Sequence, residues 1–357
     1  MIKAEGGLQS RLSFESPEYI RTSLAAAMTL KLVPGRFYRN AKLYCINLLL
    51  TYTEGCAANC AYCGLSRERE GQWVENSFIR VDWPTYPLND IIDRMIKYKQ
   101  DIKRVCISMI TRPKAVADTI TIVRRIRERL DTPISALITP TVMNKKDLEI
   151  LKEAGCDHIG IAVDAARPDL FDKYRGSGVK GPHKWSKYWG TIKQAVEVYG
   201  DAVGVHLIVG LGETEKDMIK IIQYAQDLGA STHLFSFYPE ENSQMSSYPP
   251  PPIEQYRRIQ IARYLINEKI KTVNDMKFTP EGRLEAINIS QEEFDKIVDS
   301  GIPFMTSGCP GVDGQVACNR PYANEKPGKL IRNYPFKPVK SDIKLIRKQL
   351  QFKVQSW

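Results

Sequence analysis

The sequence has no uncharged apolar run long enough to span a bilayer, and its opening MIKAEGGLQSRLSFESPEYI lacks the apolar stretch of a secretory leader. A cytoplasmic protein is expected. Histidine is scarce, with four residues at no metal-binding spacing, and only His206 falls where a side chain would face the interior of a barrel. Internal repeats, low-complexity linkers and long blocks of one charge are also missing. Repeat arrays are thereby disfavoured, and only the tail from Lys329 to Lys348 is locally basic.

What is present describes a globular chain. Apolar residues make up 43% and charged residues 26% of 357 positions, a length that suits one large α/β domain with extensions or two ordinary domains. The formal charge of +10 suits an acidic partner such as nucleic acid, a phosphorylated ligand or an acidic carrier protein. A solvated lysine-rich surface is the plainer reading, because the basic residues are spread along the chain. Eight cysteines in a cytosolic chain are read as reduced thiols, so any clustering points to metal or catalysis.

Apolar runs alternate with helical patterns. The runs expected as strands are 44–51, 104–109, 134–138, 158–163, 202–209, 232–237, 276–279 and 302–305; helical periodicity marks 88–99, 115–130, 145–154, 186–199, 215–228 and 253–268. A further helix is expected near 17–32. Strict alternation implies parallel strands joined by crossovers, and eight strands fit a TIM-like (β/α)8 barrel, with a doubly wound open sheet as the alternative. The expected organisation is an N-terminal extension (1–43), a barrel (44–308) and a cysteine-containing tail (309–357). Catalytic residues belong at the C-terminal ends of the barrel strands. The run Tyr248–Pro252, with four consecutive prolines, reads as a rigid loop feeding the helix at Ile253.

The first expected strand runs into TEGCAANCAYCGLS, a C-x3-C-x2-C loop formed by Cys56, Cys60 and Cys63. Three thiolates in one tight loop can ligate three irons of a cubane and leave the fourth open, whereas structural zinc would want a fourth protein ligand nearby. With Tyr62 just before the last cysteine, this loop resembles the signature of the radical S-adenosylmethionine (SAM) superfamily. The resemblance implies a [4Fe-4S] cluster whose open iron chelates SAM. It also implies reductive cleavage to methionine and a 5′-deoxyadenosyl radical that abstracts hydrogen from an unactivated carbon, with an electron donor such as ferredoxin or flavodoxin.

The resemblance extends to further cofactor-binding residues. In GVHLIVGLGETEKD, Ile208 would pack on adenine, Gly210 would let the backbone approach it, and Glu213 would shape the loop; a plain helix-capping turn at Thr214 is the alternative. Asp164, ending the fourth expected strand, would hydrogen-bond the ribose or methionine part of SAM, or else act only as a helix N-terminal carboxylate before Pro168. Ser108, Thr111 and Arg112 stand near the expected SAM amino group, where the family's Gly-Gly-Glu is missing.

Within the superfamily the chain resembles the biotin synthase-like branch over about residues 40 to 310, and its tail looks most like subunits of two-protein lipoyl synthases. Cys309 and Cys318 flank a Gly-rich loop in TSGCPGVDGQVACNRPY, placed by the expected eighth strand at the active-site face. They look like partial ligands of a second iron–sulfur cluster, with Cys106 or Cys45 completing it; a buried or zinc-binding cysteine pair is the alternative. Ser135 and Gly204 stand where biotin synthase has further cysteines, and Lys277 where it has an arginine ligand. Lone Cys156 reads as core packing. The resemblance implies sulfur insertion into an octanoyl-lysine on a lipoyl-carrier protein, together with a partner radical SAM subunit. The alternatives are a rearrangement enzyme that makes no C–S bond and a non-catalytic iron–sulfur maturation factor.

Overall fold

A computed structural model describes residues 14–69, 77–322, 325 and 327–355. Its centre is an eight-stranded, mostly parallel sheet. The strands are β1 (Tyr19–Thr22), β2 (Cys45–Leu49), β3 (Thr85–Pro87), β4 (Arg104–Ser108), β5 (Ile134–Ile138), β6 (His158–Asp164), β7 (Val203–Val209) and β8 (Ser231–Ser236). Their spatial order is β3-β1-β2-β4-β5-β6-β7-β8. From β2 onward every neighbour is parallel, while β1 runs antiparallel to both β2 and β3. Segments such as RVCIS and VGVHLIV carry the β-branched residues that pack well in sheets covered on both faces.

Helices follow the parallel strands: α2 (Leu88–Lys97), preceded by the short α1 (Leu24–Thr29), then α3 (Ala115–Arg127), α4 (Lys145–Glu153), α5 (Pro168–Arg175), α6 (Trp185–Tyr199), α7 (Glu215–Asp227) and α8 (Ile253–Asn267). The tail adds α9 (Gln291–Ser300) and α10 (Lys340–Leu350). Local signals fix several starts. Asn144 caps α4 and Thr214 caps α7, each in a reciprocal capping box with the aspartate three residues on. Among the described residues, no helix is long and apolar enough to cross a membrane.

The alternating α/β pattern is as the sequence implied, but the strand count is reached differently. Residues 276–278 form β9 in a separate three-stranded sheet with β10 (Leu284–Asn288) and β11 (Lys353–Gln355), and Ile302–Phe304 is a single 3-10 turn. Both stretches are apolar runs too short for periodicity to separate strand from turn. The expected N-terminal helix is instead β1 followed by the six-residue α1. Among the described residues, the edge strands β3 and β8 do not hydrogen-bond to each other.

The tail bridges that seam. Arg320 stacks on Trp83 just before β3, with 5.5 Å between guanidinium and ring. Further on, Asn333 donates to Tyr256 Oη at 2.8 Å and Arg332 donates to Tyr238 Oη at 3.0 Å, on the β8 side.

Candidate active site

The loop after β2 is anchored before any cofactor is considered. Arg112 donates from Nε to Gly55 O at 2.7 Å and from Nη1 to Glu54 Oε2 at 2.6 Å, clamping the loop's base. Backbone amides then point at the sulfurs: Ala58 and Thr111 donate to Cys56 Sγ, both at 3.4 Å, and Leu65 donates to Cys63 Sγ at 3.3 Å. N–H donors at sulfur favour the thiolate. Burial opposes it, pushing the Cys60 thiol up to about 12 and the Cys63 thiol well above its ordinary value. The three sulfurs line a cavity of about 220 Å3 at the C-terminal ends of the strands. Among the described residues, no three His, Cys, Asp or Glu side chains converge on a single metal ion. A loop of three exposed-to-cavity sulfurs with no fourth side chain is the donor set of a cluster with an open iron.

Across this cavity stands a buried polar triad that the sequence only half disclosed. Asp164 ends β6 with φ +66°, a left-handed conformation uncommon for a non-glycine residue. Its Oδ2 accepts from Tyr62 Oη at 2.5 Å and from Arg175 Nη1 at 2.7 Å. Helix α5 starts at Pro168 with Arg167 as its cap, so Asp164 is not a helix-capping carboxylate. Arg175, on the last turn of α5, also donates to Val163 O and to Tyr188 Oη at 3.1 Å. His183 completes the wall. Its Nδ1 shares hydrogen bonds with Thr141 Oγ1 at 2.6 Å and Tyr188 Oη at 3.0 Å, and burial with nearby Arg175 drives its pKa down to about 2.

On the β7 side, Ile208 lines the same cavity. Glu213 accepts the amides of Gly210 and Leu211 at 2.7 and 2.9 Å, and burial raises its pKa to about 7. Gly210 has φ +108°, and a Cβ there would lie 2.7 Å from Pro251 of the proline run. Turn shaping by Glu213 and helix capping by Thr214 therefore coexist. Thr111 lines the cavity, but Ser108 lies deeper, on an inner cavity, and Arg112 is committed to the loop base.

The inner cavity, about 100 Å3, holds the second cysteine set. Cys106 and Cys318 line it with Cys309, and Cys45 is in thiol contact with both Cys106 and Cys318. Thiol donors Cys318 and Cys45 pull Cys106 well below its ordinary value, while burial pushes Cys309 up to about 11. Ser135 bonds both Cys106 and Cys309. This set lies toward the N-terminal ends of the strands, not at the face expected from the sequence. Arg104, the first residue of β4, donates from Nε to Pro310 O at 2.5 Å, Lys103 pairs with Asp313 at 2.6 Å, and Tyr44 N donates to Asn319 at 3.1 Å. Because 302–304 is a turn and not a strand, the chain never climbs back to the cluster-loop end before Cys309.

Other expectations are corrected here too. Lys277 lies on β9 in the outlying sheet, and cations beside the cysteines are Arg320, which interacts with Cys318, Cys106 and Cys45, and Arg104, which interacts with Cys309 and Cys45. His233 lines the inner cavity as well as His206. Gly204 makes its room, since a Cβ there would sit 2.7 Å from His233 Nε2. Cys156 is buried with its thiol on His158 O at 3.3 Å, a packing role. Arg175, Arg320 and the second histidine carried no motif, although the inward parity of His233 on its strand and the place of Arg175 one helix after Asp164 were available signals.

Comparison with known proteins agrees with this geometry. A probable GTP 3′,8-cyclase of Methanococcus aeolicus is 26% identical over 197 residues, covering 54% of this chain and 60% of the relative. The GTP 3′,8-cyclase of Microcystis aeruginosa is 34% identical over 100 residues, covering 28% of this chain and 30% of the relative. The chain thus spans less than two thirds of the length of these relatives. The solved [FeFe]-hydrogenase maturase HydG of Carboxydothermus hydrogenoformans superposes with a TM-score of 0.52 at 17% identity, covering 92% of this chain and 71% of that one. Residues 50–225 match the radical SAM superfamily. That stretch runs from the end of β2 into α7 and builds the three-cysteine loop, Asp164 and the Glu213 turn, so the chain carries a radical SAM domain.

Proposed function

We propose that the protein is a biotin synthase-like radical SAM enzyme that inserts sulfur at an unactivated carbon, its substrate an octanoyl group on an acidic lipoyl-carrier protein. The observation that carries this reading is an inner cavity lined by Cys106, Cys309 and Cys318, with Cys45 against two of them, that shares Leu137, His206, Phe235 and Tyr238 with the SAM-side cavity. When bound, the cluster at the first loop supplies the electron that cleaves SAM, and a second cluster at the inner cysteines supplies sulfide. Residues of this chain do the rest. Cys56, Cys60 and Cys63 hold the first cluster, Asp164 and Ile208 line the SAM side, and the Glu213 turn keeps Gly210 open beside it. Arg320 offsets negative charge at the inner thiolates.

Partners follow from the same reading: a lipoyl-carrier domain, suited to a chain of formal charge +10, a second radical SAM subunit, and a ferredoxin or flavodoxin donor. A second reading is a nucleotide rearrangement without C–S bond formation, favoured by the relatives named as GTP 3′,8-cyclases. One anaerobic experiment separates them. Reconstituted protein with SAM and reductant is given either an octanoyl-lysine peptide or GTP. Sulfur in the peptide, with 5′-deoxyadenosine formed, supports insertion; a cyclised nucleotide replaces it with the second reading. Absence of SAM cleavage under either condition leaves neither.

A further inference from the structure

Among the described residues, three buried side-chain atoms of residues on the wall of the inner cavity have no hydrogen-bond partner: Asn47 Oδ1, Arg320 Nε and Arg332 Nη1. A buried donor or acceptor left unmade costs roughly 1–3 kcal/mol, and more when charged. Arg320 has the inner thiols beside it. Arg332 has the Glu325 carboxyl near it, without a side-chain hydrogen bond between the two among the described residues. It is 9% exposed, its Nε donates to Tyr238 Oη at 3.0 Å, and its guanidinium lies over the rings of Tyr238 and Tyr256 at 5.5 and 5.8 Å. The neighbouring Glu325 carboxylate is turned to backbone amides, accepting from Arg332 N at 2.7 Å and Asn333 N at 3.3 Å. One arm of a buried cation on the cavity wall thus has no hydrogen-bond partner among the described residues.

Other parts of the wall are apolar, with Phe78, Ile79, Leu137 and Phe235 lining it. Ile79 is held there against its own preference. Its φ is +54°, a conformation costing a β-branched residue roughly 1–3 kcal/mol, and Arg80 follows at +58°. Glu240 restrains the turn by accepting Arg80 N at 2.6 Å and Ser77 Oγ at 3.2 Å. Strain retained at this point puts a sec-butyl side chain on both cavities at once.

We infer that Arg332 binds the carbonyl end of an acyl substrate, either a free carboxylate or the carbonyl oxygen of an acyl amide. The hydrocarbon chain lies on Phe78, Ile79 and Phe235, which places its carbons between the two cysteine sets. This assignment rests on the sulfur-insertion reading for the identity of the chain, but the cation and its apolar neighbours stand independently of it.

The test is calorimetric titration of anaerobically reconstituted, SAM-loaded protein with octanoate and, separately, with a peptide bearing octanoyl-lysine. Wild type, Arg332→Met and Arg332→Lys are compared, with iron content and circular dichroism as checks of folding. Loss of a charged hydrogen bond predicts roughly 10- to 100-fold weaker binding in Arg332→Met, and an intermediate loss in Arg332→Lys. Should Arg332→Met fail to fold, Arg332→Lys, which keeps the charge and loses the fork, decides. Binding of octanoate alone assigns a free acid, and binding of the peptide alone assigns the tethered acyl group; an Arg332-dependent affinity supports the site in both cases. Equal affinity across wild type and folded variants overturns the role of Arg332 while leaving sulfur insertion intact. Failure of the wild type to bind either acyl ligand overturns the acyl class, and the octanoyl reading with it.

Discussion

The two cysteine sets occupy opposite ends of one barrel interior and are built in opposite ways. Cys56, Cys60 and Cys63 come from a single loop, clamped at its base by Arg112 and supplied with amide donors by its own turns. Cys45, Cys106, Cys309 and Cys318 come from two adjacent strands and from a tail that closes beneath them. A local set needs only its loop to form. An assembled set needs the whole fold, so its integrity reports on packing far from the thiols themselves.

The largest effect expected from this contrast is at the local set. Replacing Cys56, Cys60 or Cys63 by alanine should abolish 5′-deoxyadenosine formation, measured chromatographically under reducing anaerobic conditions, with little change in melting temperature. Turnover at the wild-type rate in any of the three would remove the loop from the reaction. Next in size is the assembled set. With the loop triad replaced by alanines, iron and sulfide analysis should still find one cluster, and further replacement of Cys106, Cys309 and Cys318 should eliminate it. An iron-free triad variant would mean that the inner thiols hold no cluster at all.

The wall across the outer cavity from the loop triad offers a smaller effect. Arg175→Met leaves the Asp164 carboxylate buried without its cation, a change that typically costs about 3–5 kcal/mol. A lowered denaturation midpoint and weaker SAM binding are expected together, whereas Asp164→Asn should weaken SAM binding and retain the iron. Unaltered SAM affinity in Asp164→Asn would confine the residue to bracing Tyr62 and Arg175.

The smallest effect concerns the tail that completes the assembled set. Burial raises Glu325 from its ordinary 4.5 to about 7, so the folded state holds a proton that the unfolded chain has released. Its contribution is fully present below about pH 4.5 and fades as the pH rises through about 7, a total of at most about 3 kcal/mol. Glu325→Gln should flatten the fall in melting temperature between pH 5 and 7. An identical pH profile in the variant would show that Glu325 titrates normally.

How much of this was legible beforehand follows the same division. The first cysteine loop, the Gly210–Glu213 turn and Asp164 were readable because each is carried by neighbours in sequence. The six parallel strands were readable from their apolar runs and the helices between them. The tail's position was not, because it depended on whether 302–305 was a strand, and four apolar-rich residues cannot settle that. Arg175 escaped notice because an arginine ending a helix is ordinary until β6 places Asp164 beside it. Arg320 and Arg332 were hidden among Gly- and Pro-rich tail residues without periodicity.

The closure of the inner cysteines by the tail also sets an order of events in the cell. Cys45 and Cys106 are synthesised long before Cys309 and Cys318, and the strands that carry the first pair can form while the second pair is still unmade. During that interval the lower mouth of the barrel lacks its plug at Pro310, Asp313 and Asn319. The inner cavity therefore cannot close until residues 309–319 have been made, whereas the strands that carry Cys45 and Cys106 precede them in the chain.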